Sequence, residues 1–188
     1  MAPRDTGSAD PSHRSKYESI VMIHLDAAYA LARYLTRNDR DAEDIVQDAC
    51  LRAFRFLETF RGGSSRAWFL TIVRNVYYGE LKRKRSQPLN VVLDEGETTL
   101  EDSESAPWTR TEHDPIRALE RAEAQRRVRA AVTQLPDEYR EILVLRELEE
   151  LSYQDIARIA RIPIGTVMSR LSRARKLLYK ALQQERES

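Results

Sequence analysis

Residues 151–182 read LSYQDIARIARIPIGTVMSRLSRARKLLYKAL, from Leu151 to Leu182. Ser152 is a helix-capping residue and Asp155 stands three residues on, in the capping-box position, so a helix begins here. Ile156, Ala157, Ile159 and Ala160 give it an apolar side of about two turns. Arg161-Ile162-Pro163 breaks it. Gly165-Thr166 then opens a longer helix in which Val167, Leu171, Ala174, Leu177 and Leu178 are predicted to face inward. A short helix, a tight turn and a longer amphipathic helix make the plan of a helix-turn-helix, whose second helix enters the major groove of DNA.

The charges in this stretch agree. Arg158, Arg161, Arg170, Arg173, Arg175, Lys176 and Lys180 follow one another with no acid among them. Surface helices ordinarily mix signs, because opposite charges four residues apart stabilise them. Like charges without counterions are expected where a polyanion supplies the partner; a merely solvated helix is the alternative. Thr166, Met168, Ser169, Ser172 and Arg173, toward the N-terminal end of the second helix, are the candidates for base edges. Arg170, Arg175 and Lys176 are the candidates for phosphates. Arg173 is the expected bidentate guanine contact, worth about 1–3 kcal/mol.

Upstream of this stretch the helical period recurs. Ile116, Leu119, Ala122, Val128, Ala131 and Val132 predict one helix, ended at Leu135-Pro136. Pro136, with Asp137 and Glu138 behind it, starts the next, which carries Tyr139, Ile142, Leu143, Leu145 and Leu148. Residues 88–114 differ: Asp94, Glu95, Glu97, Glu101, Asp102 and Glu104 come with prolines at 88 and 107, and predict an acidic linker. Before it, Ile20, Ile23, Leu25, Ala28, Leu31, Ala32 and Leu35 predict a helix from Tyr17. Asp39 or Asp41 is the expected cap of a second helix, with Ala42, Ile45, Val46, Ala49, Cys50, Ala53, Phe54 and Leu57 on one face. After the loop 61–65, Ser64 or Ser65 caps a third helix carrying Trp68, Phe69, Ile72, Val73 and Val76, which ends in Lys82-Arg83-Lys84-Arg85. Residues 1–16 are polar and read as a disordered tail.

The expected fold is thus all-α, with two small helical domains at 17–87 and 115–183. Each has about seventy residues, near the lower limit for independent stability. Composition fits: of 188 residues, 32% are charged and 7% aromatic, with 31 basic residues against 30 acidic. The single cysteine, Cys50, excludes an internal disulfide and reads as a core residue. His13, His24 and His113 have no metal-ligand spacing, so no metal or other cofactor is expected. No apolar run reaches the ~18 residues that a membrane helix needs. The N-terminus has no apolar core and reads against a signal peptide. A cytoplasmic protein without catalytic activity is the expectation.

Leu135-Pro136, Tyr139-Arg140-Glu141, Leu145-Arg146, Leu151-Ser152-Tyr153, Gly165-Thr166-Val167, Ser169-Arg170-Leu171 and Arg173-Ala174-Arg175 together resemble the C-terminal domain of extracytoplasmic-function (ECF) sigma factors, small bacterial subunits of the sigma-70 family. Asp41-Ala42-Glu43-Asp44, Val46-Gln47-Asp48, Arg52-Ala53-Phe54, Phe60-Arg61-Gly62 and Ala67-Trp68-Phe69 resemble the N-terminal domain of the same family. The resemblance spans roughly 17–87 and 115–183, in order and with a linker between. It implies a subunit that directs RNA polymerase core to promoters. The N-terminal domain would bind the minus-ten element and the C-terminal domain the minus-thirty-five element, with an anti-sigma factor as a further partner.

The resemblance also implies residue roles. Glu43, Asp44, Gln47 and Asp48 would dock on the polymerase clamp. The loop Arg61, Gly62, Gly63, Ser64 and Ser65 would capture a flipped base, as suits single-stranded DNA. Asn75 lies further along that helix, and its amide can both donate and accept. Trp68 would wedge at the melting junction or serve the core. Lys82, Arg83 and the two cations after them would hold phosphates. The chain departs from the family at Glu150 and Arg161, where glycine is usual. If either keeps a positive φ, a non-glycine costs roughly 1 kcal/mol, so a reshaped turn is the expectation, which leaves the base-contact register open by one residue.

Two other classes compete. A stand-alone helix-turn-helix regulator would use the N-terminal half for dimerisation or effector binding. A recombinase or nuclease would need carboxylates on a metal, and the only dense acids, at 94–104, lack rigid support. No GxxxxGK[ST] phosphate loop is present, so ATP-driven melting is not expected.

Overall fold

The computed structural model describes residues 11–86 and 115–187, and every element in them is helical. In the N-terminal half, α1 (Pro11–Ile20) and a 3-10 turn (Met22–His24) lead into α2 (Leu25–Thr36). Then come α3 (Asp39–Arg55), a 3-10 turn (Leu57–Thr59) and α4 (Ser65–Ser86). The C-terminal half has α5 (Pro115–Gln134), α6 (Asp137–Leu143) widening into a π-helical turn (Val144–Leu148), α7 (Tyr153–Ala160) and α8 (Ile164–Glu187). The expected linker, residues 88–114, falls outside the described residues.

Apolar spacing builds the N-terminal bundle. Ala28, Leu31, Ala32 and Leu35 of α2 meet Ala42, Ala49 and Ala53 of α3 and Phe69, Leu70, Val73 and Val76 of α4. The small alanines of α3 let α2 and α4 approach it closely, and the larger residues fill the remaining space. The first helix is not continuous, however. It breaks at Val21, which is buried, and Ile23 is 67% exposed rather than inward. Residues 11–16, expected as tail, form the start of α1, because Tyr17 anchors it: its hydroxyl donates to the Cys50 carbonyl at 3.3 Å. Asn38 rather than Asp39 or Asp41 caps α3, accepting from the Asp41 amide at 3.0 Å. Cys50 is half-buried rather than fully enclosed, and burial pushes its thiol up.

In the C-terminal half Ile142, Leu145, Ile156, Ile159, Val167, Leu171 and Ala174 form the core. Leu119, Val128 and Leu148, expected on inner faces, are exposed, as is Leu177 on α8. The π turn explains Leu148: the Glu149 amide bonds back to the Val144 carbonyl, which rotates the segment after it relative to a regular helix. The two halves also touch. α2 packs on α6 and α4 on α7, and the apolar cluster runs through both halves.

Candidate nucleic-acid interfaces

The turn at the centre of the helix-turn-helix is regular. Ser152 caps α7, its hydroxyl accepting from the Asp155 amide at 3.1 Å while donating to the Asp155 carboxylate at 2.6 Å. Arg161 closes α7 at φ 55°, in the left-handed region, with its amide bonded to the Ala157 carbonyl. Glu150 stands at φ 51°. Both therefore keep the conformation that glycine would adopt. The turn is not reshaped: side-chain strain is borne in place, and the amide of Ile162 also returns to Ala157.

On α8 the buried stripe is Val167, Leu171 and Ala174, with Leu178 half-buried beyond it. At 3.6 residues per turn, the opposite side carries Ser169, Ser172, Arg173 and Lys176, all exposed. Met168 is 50% exposed beside them, and Thr166 is half-buried at the start of the helix. Arg170 and Arg175 flank this face instead of lying on it. Arg170 pairs with Glu138 at 2.8 Å and Arg175 with Glu147 at 2.6 Å, and Arg158 pairs with Asp155 at 2.9 Å. The run of cations is therefore not without counterions. Their acids come from α6, the π turn and the start of α7, out of sight of a window that begins at Arg158. Arg173 and Lys176 have no ion pair among the described residues.

In the N-terminal half, Gly62 and Gly63 sit at φ 92° and 88° in the exposed loop between Phe60 and α4. A side chain would be strained at either position. Arg61, Gly62, Gly63 and Ser64 are exposed, while Ser65 is half-buried and bonded to His24 Nε2 at 2.9 Å. Ser64 is the cap of α4, its hydroxyl accepting from the Ala67 amide at 3.1 Å. Burial, and next the nearby Arg66 guanidinium, hold the His24 imidazole below its ordinary value. Trp68 is half-buried against Phe60, with ring centroids 5.5 Å apart. Asn75 is half-buried midway along α4, and Lys82 and Arg83 are exposed at its end. Glu80 holds Arg83 at 2.5 Å.

On α3, Glu43, Asp44 and Gln47 are exposed, and half-buried Asp48 pairs with Arg52 at 2.8 Å. One turn further on, sequence reasoning missed an apolar neighbour of this surface, Leu51, which is 56% exposed; Phe56, at the C-terminal end of α3, is 53% exposed. Phe54, expected inward, is also exposed. His13 and Tyr17 of α1 lean on its ring edge-on, with centroids 4.7 and 5.4 Å away.

Also missed was a polar contact between the halves. Arg140, Glu141 and Glu149 are buried charged residues of the C-terminal half. Glu141 accepts from Arg74 Nε and, at 2.9 Å, from the Tyr78 hydroxyl; Glu149 accepts from Arg66 Nη2. Burial pushes the Glu149 carboxyl up, and Arg66 opposes that shift. Arg37, which closes α2 at φ 59°, donates to Leu135 O and Asp137, both at 3.4 Å. The signal available was a set of charges inside an otherwise apolar period, at Arg140-Glu141. Among the described residues, no group of histidines, cysteines and acids could hold a metal ion. Nor is any helix there long and apolar enough to cross a membrane.

Two helical halves, the second built on a helix-turn-helix, match known regions. Residues 20–87 match sigma-70 region 2, and residues 125–178 match sigma-70 region 4. The RNA polymerase sigma-H factor of Pseudomonas aeruginosa is 33% identical over 171 residues, covering 89% of this chain and 86% of that protein. The ECF RNA polymerase sigma-E factor of Escherichia coli K12 is 32% identical over 165 residues, 87% of this chain and 84% of that protein. Among solved structures, the sigma factor RpoE of Bartonella quintana, crystallised with the anti-sigma factor NepR, aligns with TM-score 0.66 and 29% identity. That alignment covers 90% of this chain and 98% of RpoE. The chain belongs to the sigma-70 family of transcription initiation factors. Within that family it is an ECF RNA polymerase sigma factor, a DNA-binding subunit rather than an enzyme.

Proposed function

We propose a division of labour for this sigma factor. Glu43, Asp44, Gln47 and Asp48 of α3 dock on RNA polymerase core. The loop 61–65, with Trp68, Asn75, Lys82 and Arg83, engages the minus-ten element as it melts. The helix-turn-helix reads the minus-thirty-five element: Thr166, Met168, Ser169, Ser172 and Arg173 face bases, while Arg170, Arg175 and Lys176 meet phosphates. The observation that carries this reading is the outer face of α8, where Ser169, Ser172, Arg173 and Lys176 are exposed opposite the buried stripe. The energy comes from binding duplex and unpaired DNA, so no nucleotide hydrolysis enters.

The similarity to RpoE held by NepR supports a further element: this chain too has an anti-sigma partner that keeps it from polymerase. A cytoplasmic location follows from the same role.

The test is reconstitution. The purified chain is mixed with sigma-free core polymerase and scored for promoter-specific transcripts. Transcripts lost on reversing the charges at Glu43 and Asp44, with promoter duplex binding by the free chain unchanged, are the expected result. A chain that neither binds core nor starts transcription, yet binds palindromic duplex as a dimer, acts instead as a stand-alone regulator.

A further inference from the structure

We propose that the N-terminal end of α8 carries an apolar notch, floored by Gly165 and bordered by Met168 and Ile164, that receives the C5-methyl group of a thymine in the upstream promoter element. The inference rests on the reading of the outer face of α8 as the one that meets bases, and it names the base chemistry that part of this face selects.

The glycine comes first. Gly165 stands in the first turn of α8 and does not adopt a positive φ. A β-carbon built on it would meet nothing within 4 Å beyond its chain neighbours and its own helix backbone. Neither backbone conformation nor packing within this chain therefore requires glycine here, and glycine weakens a helix relative to alanine. What the missing β-carbon does provide is room for another molecule to approach closely. At 3.6 residues per turn, Gly165 shares the side of Ser169, Ser172 and Lys176, opposite the buried Val167, Leu171 and Ala174.

The borders of this gap are apolar. Met168 is 50% exposed and Ile164 39%. Met168 lies three residues from Gly165 and four from Ile164, the two spacings at which helical side chains are neighbours. Helical side chains lean toward the N-terminus, which directs Met168 to the turn holding Gly165 and Ile164. The nearest hydroxyl is turned away: Ser169 donates to the Thr166 carbonyl at 3.1 Å. In the major groove the C5-methyl of thymine is the apolar group that a base edge presents, and cytosine lacks it. The flexible, polarisable thioether of methionine packs well on such a contour. A phosphate would find no cation in the notch; Arg170 and Arg175 stand on the flanks of α8, paired with Glu138 and Glu147.

The experiment uses the full chain with core polymerase, and the promoter duplex that this complex selects from a pool randomised across the upstream element. Each thymine of the element is replaced in turn by deoxyuridine, which exchanges the methyl group for hydrogen and changes nothing else. A loss of about fourfold in affinity at one thymine is expected, the worth of one buried methyl group. Met168→Ala should bind the thymine and uracil duplexes alike. Gly165→Ala, which fills the floor, should also lose the difference, while thermal denaturation shows it at least as stable as the parent chain. Both positions are exposed, and circular dichroism checks that the helices are intact. A selected element without thymine, no loss with uracil at any position, or a loss that survives in Met168→Ala overturns the notch. So does a Gly165→Ala chain that keeps the methyl preference, or one that is destabilised, since the glycine would then serve folding. Arg173→Ala tests the underlying reading separately. If it and Met168→Ala both leave sequence preference unchanged, the outer face of α8 does not meet bases; a preference altered by Arg173→Ala alone sinks the notch and spares that reading.

Discussion

Arg140 of α6 reaches across the molecule to the backbone carbonyl of Leu35, near the end of α2, at 3.4 Å. The same guanidinium donates to Thr133 O at 3.0 Å, Leu135 O at 2.6 Å and the Asp137 carboxylate at 2.6 Å. Carbonyls at helix ends lack intrahelical partners, so one fully buried fork closes the ends of both α2 and α5. Arg140→Ala should therefore lower unfolding stability by about 3 kcal/mol, because it leaves several acceptors unmatched. Arg140→Lys should recover less than half, since an ammonium cannot reproduce the fork. Urea titration followed by circular dichroism measures both. A loss below about 1 kcal/mol for the alanine variant would show that water replaces the fork.

Arg161 is held at φ 55° by the closure of α7. Arg161→Gly should raise stability by about 0.5–1 kcal/mol, relief of left-handed strain outweighing the extra freedom of the unfolded chain. Arg161→Ala should bring no such gain. Thermal denaturation of the two variants checks the difference.

Arg173 is exposed on the outer side of α8, whereas Arg175 is tied to Glu147. Arg173→Ala should relax sequence preference at the upstream promoter element by about 1–3 kcal/mol at one base pair. Arg175→Ala should weaken all sequences alike and reduce the salt slope by about 1. Binding to a set of single-base variants of the element decides it. Equal, sequence-independent losses for both would sink the division of roles.

His24 bonds to Ser65 at the edge of the glycine loop, and its imidazole is held below its ordinary value by burial and by Arg66. The neutral ring is thus favoured by the fold. Its contribution to stability is fully present above the ordinary histidine value near pH 6.5 and is lost as pH falls through the depressed folded value. The denaturation midpoint should fall from pH 7.5 to pH 5.5. That fall should be smaller in His24→Asn, which has no titrating ring. Identical slopes for the two chains would remove His24 as the cause.

The helical class, the cap at Ser152, the break before Pro163 and the inner stripe of Val167, Leu171 and Ala174 were all legible in the sequence. Each rests on near neighbours: a side chain and an amide three residues apart, or apolar positions recurring with the turn of one helix. The tertiary structure decided the rest. Asn38 took the cap from its acidic neighbours, and Ile23, Phe54 and Leu177 came to lie outward because the helices break and pack where local period gives no instruction. The acids that partner Arg170 and Arg175 lie about 30 residues upstream, as the spacing of 28 between Glu147 and Arg175 illustrates. Arg140, Glu141 and Glu149 read on paper as ordinary surface charges of a helical run. Their burial exists only because α2 and α4 close over them, and desolvation is a property of what surrounds a charge, not of the residues on either side of it.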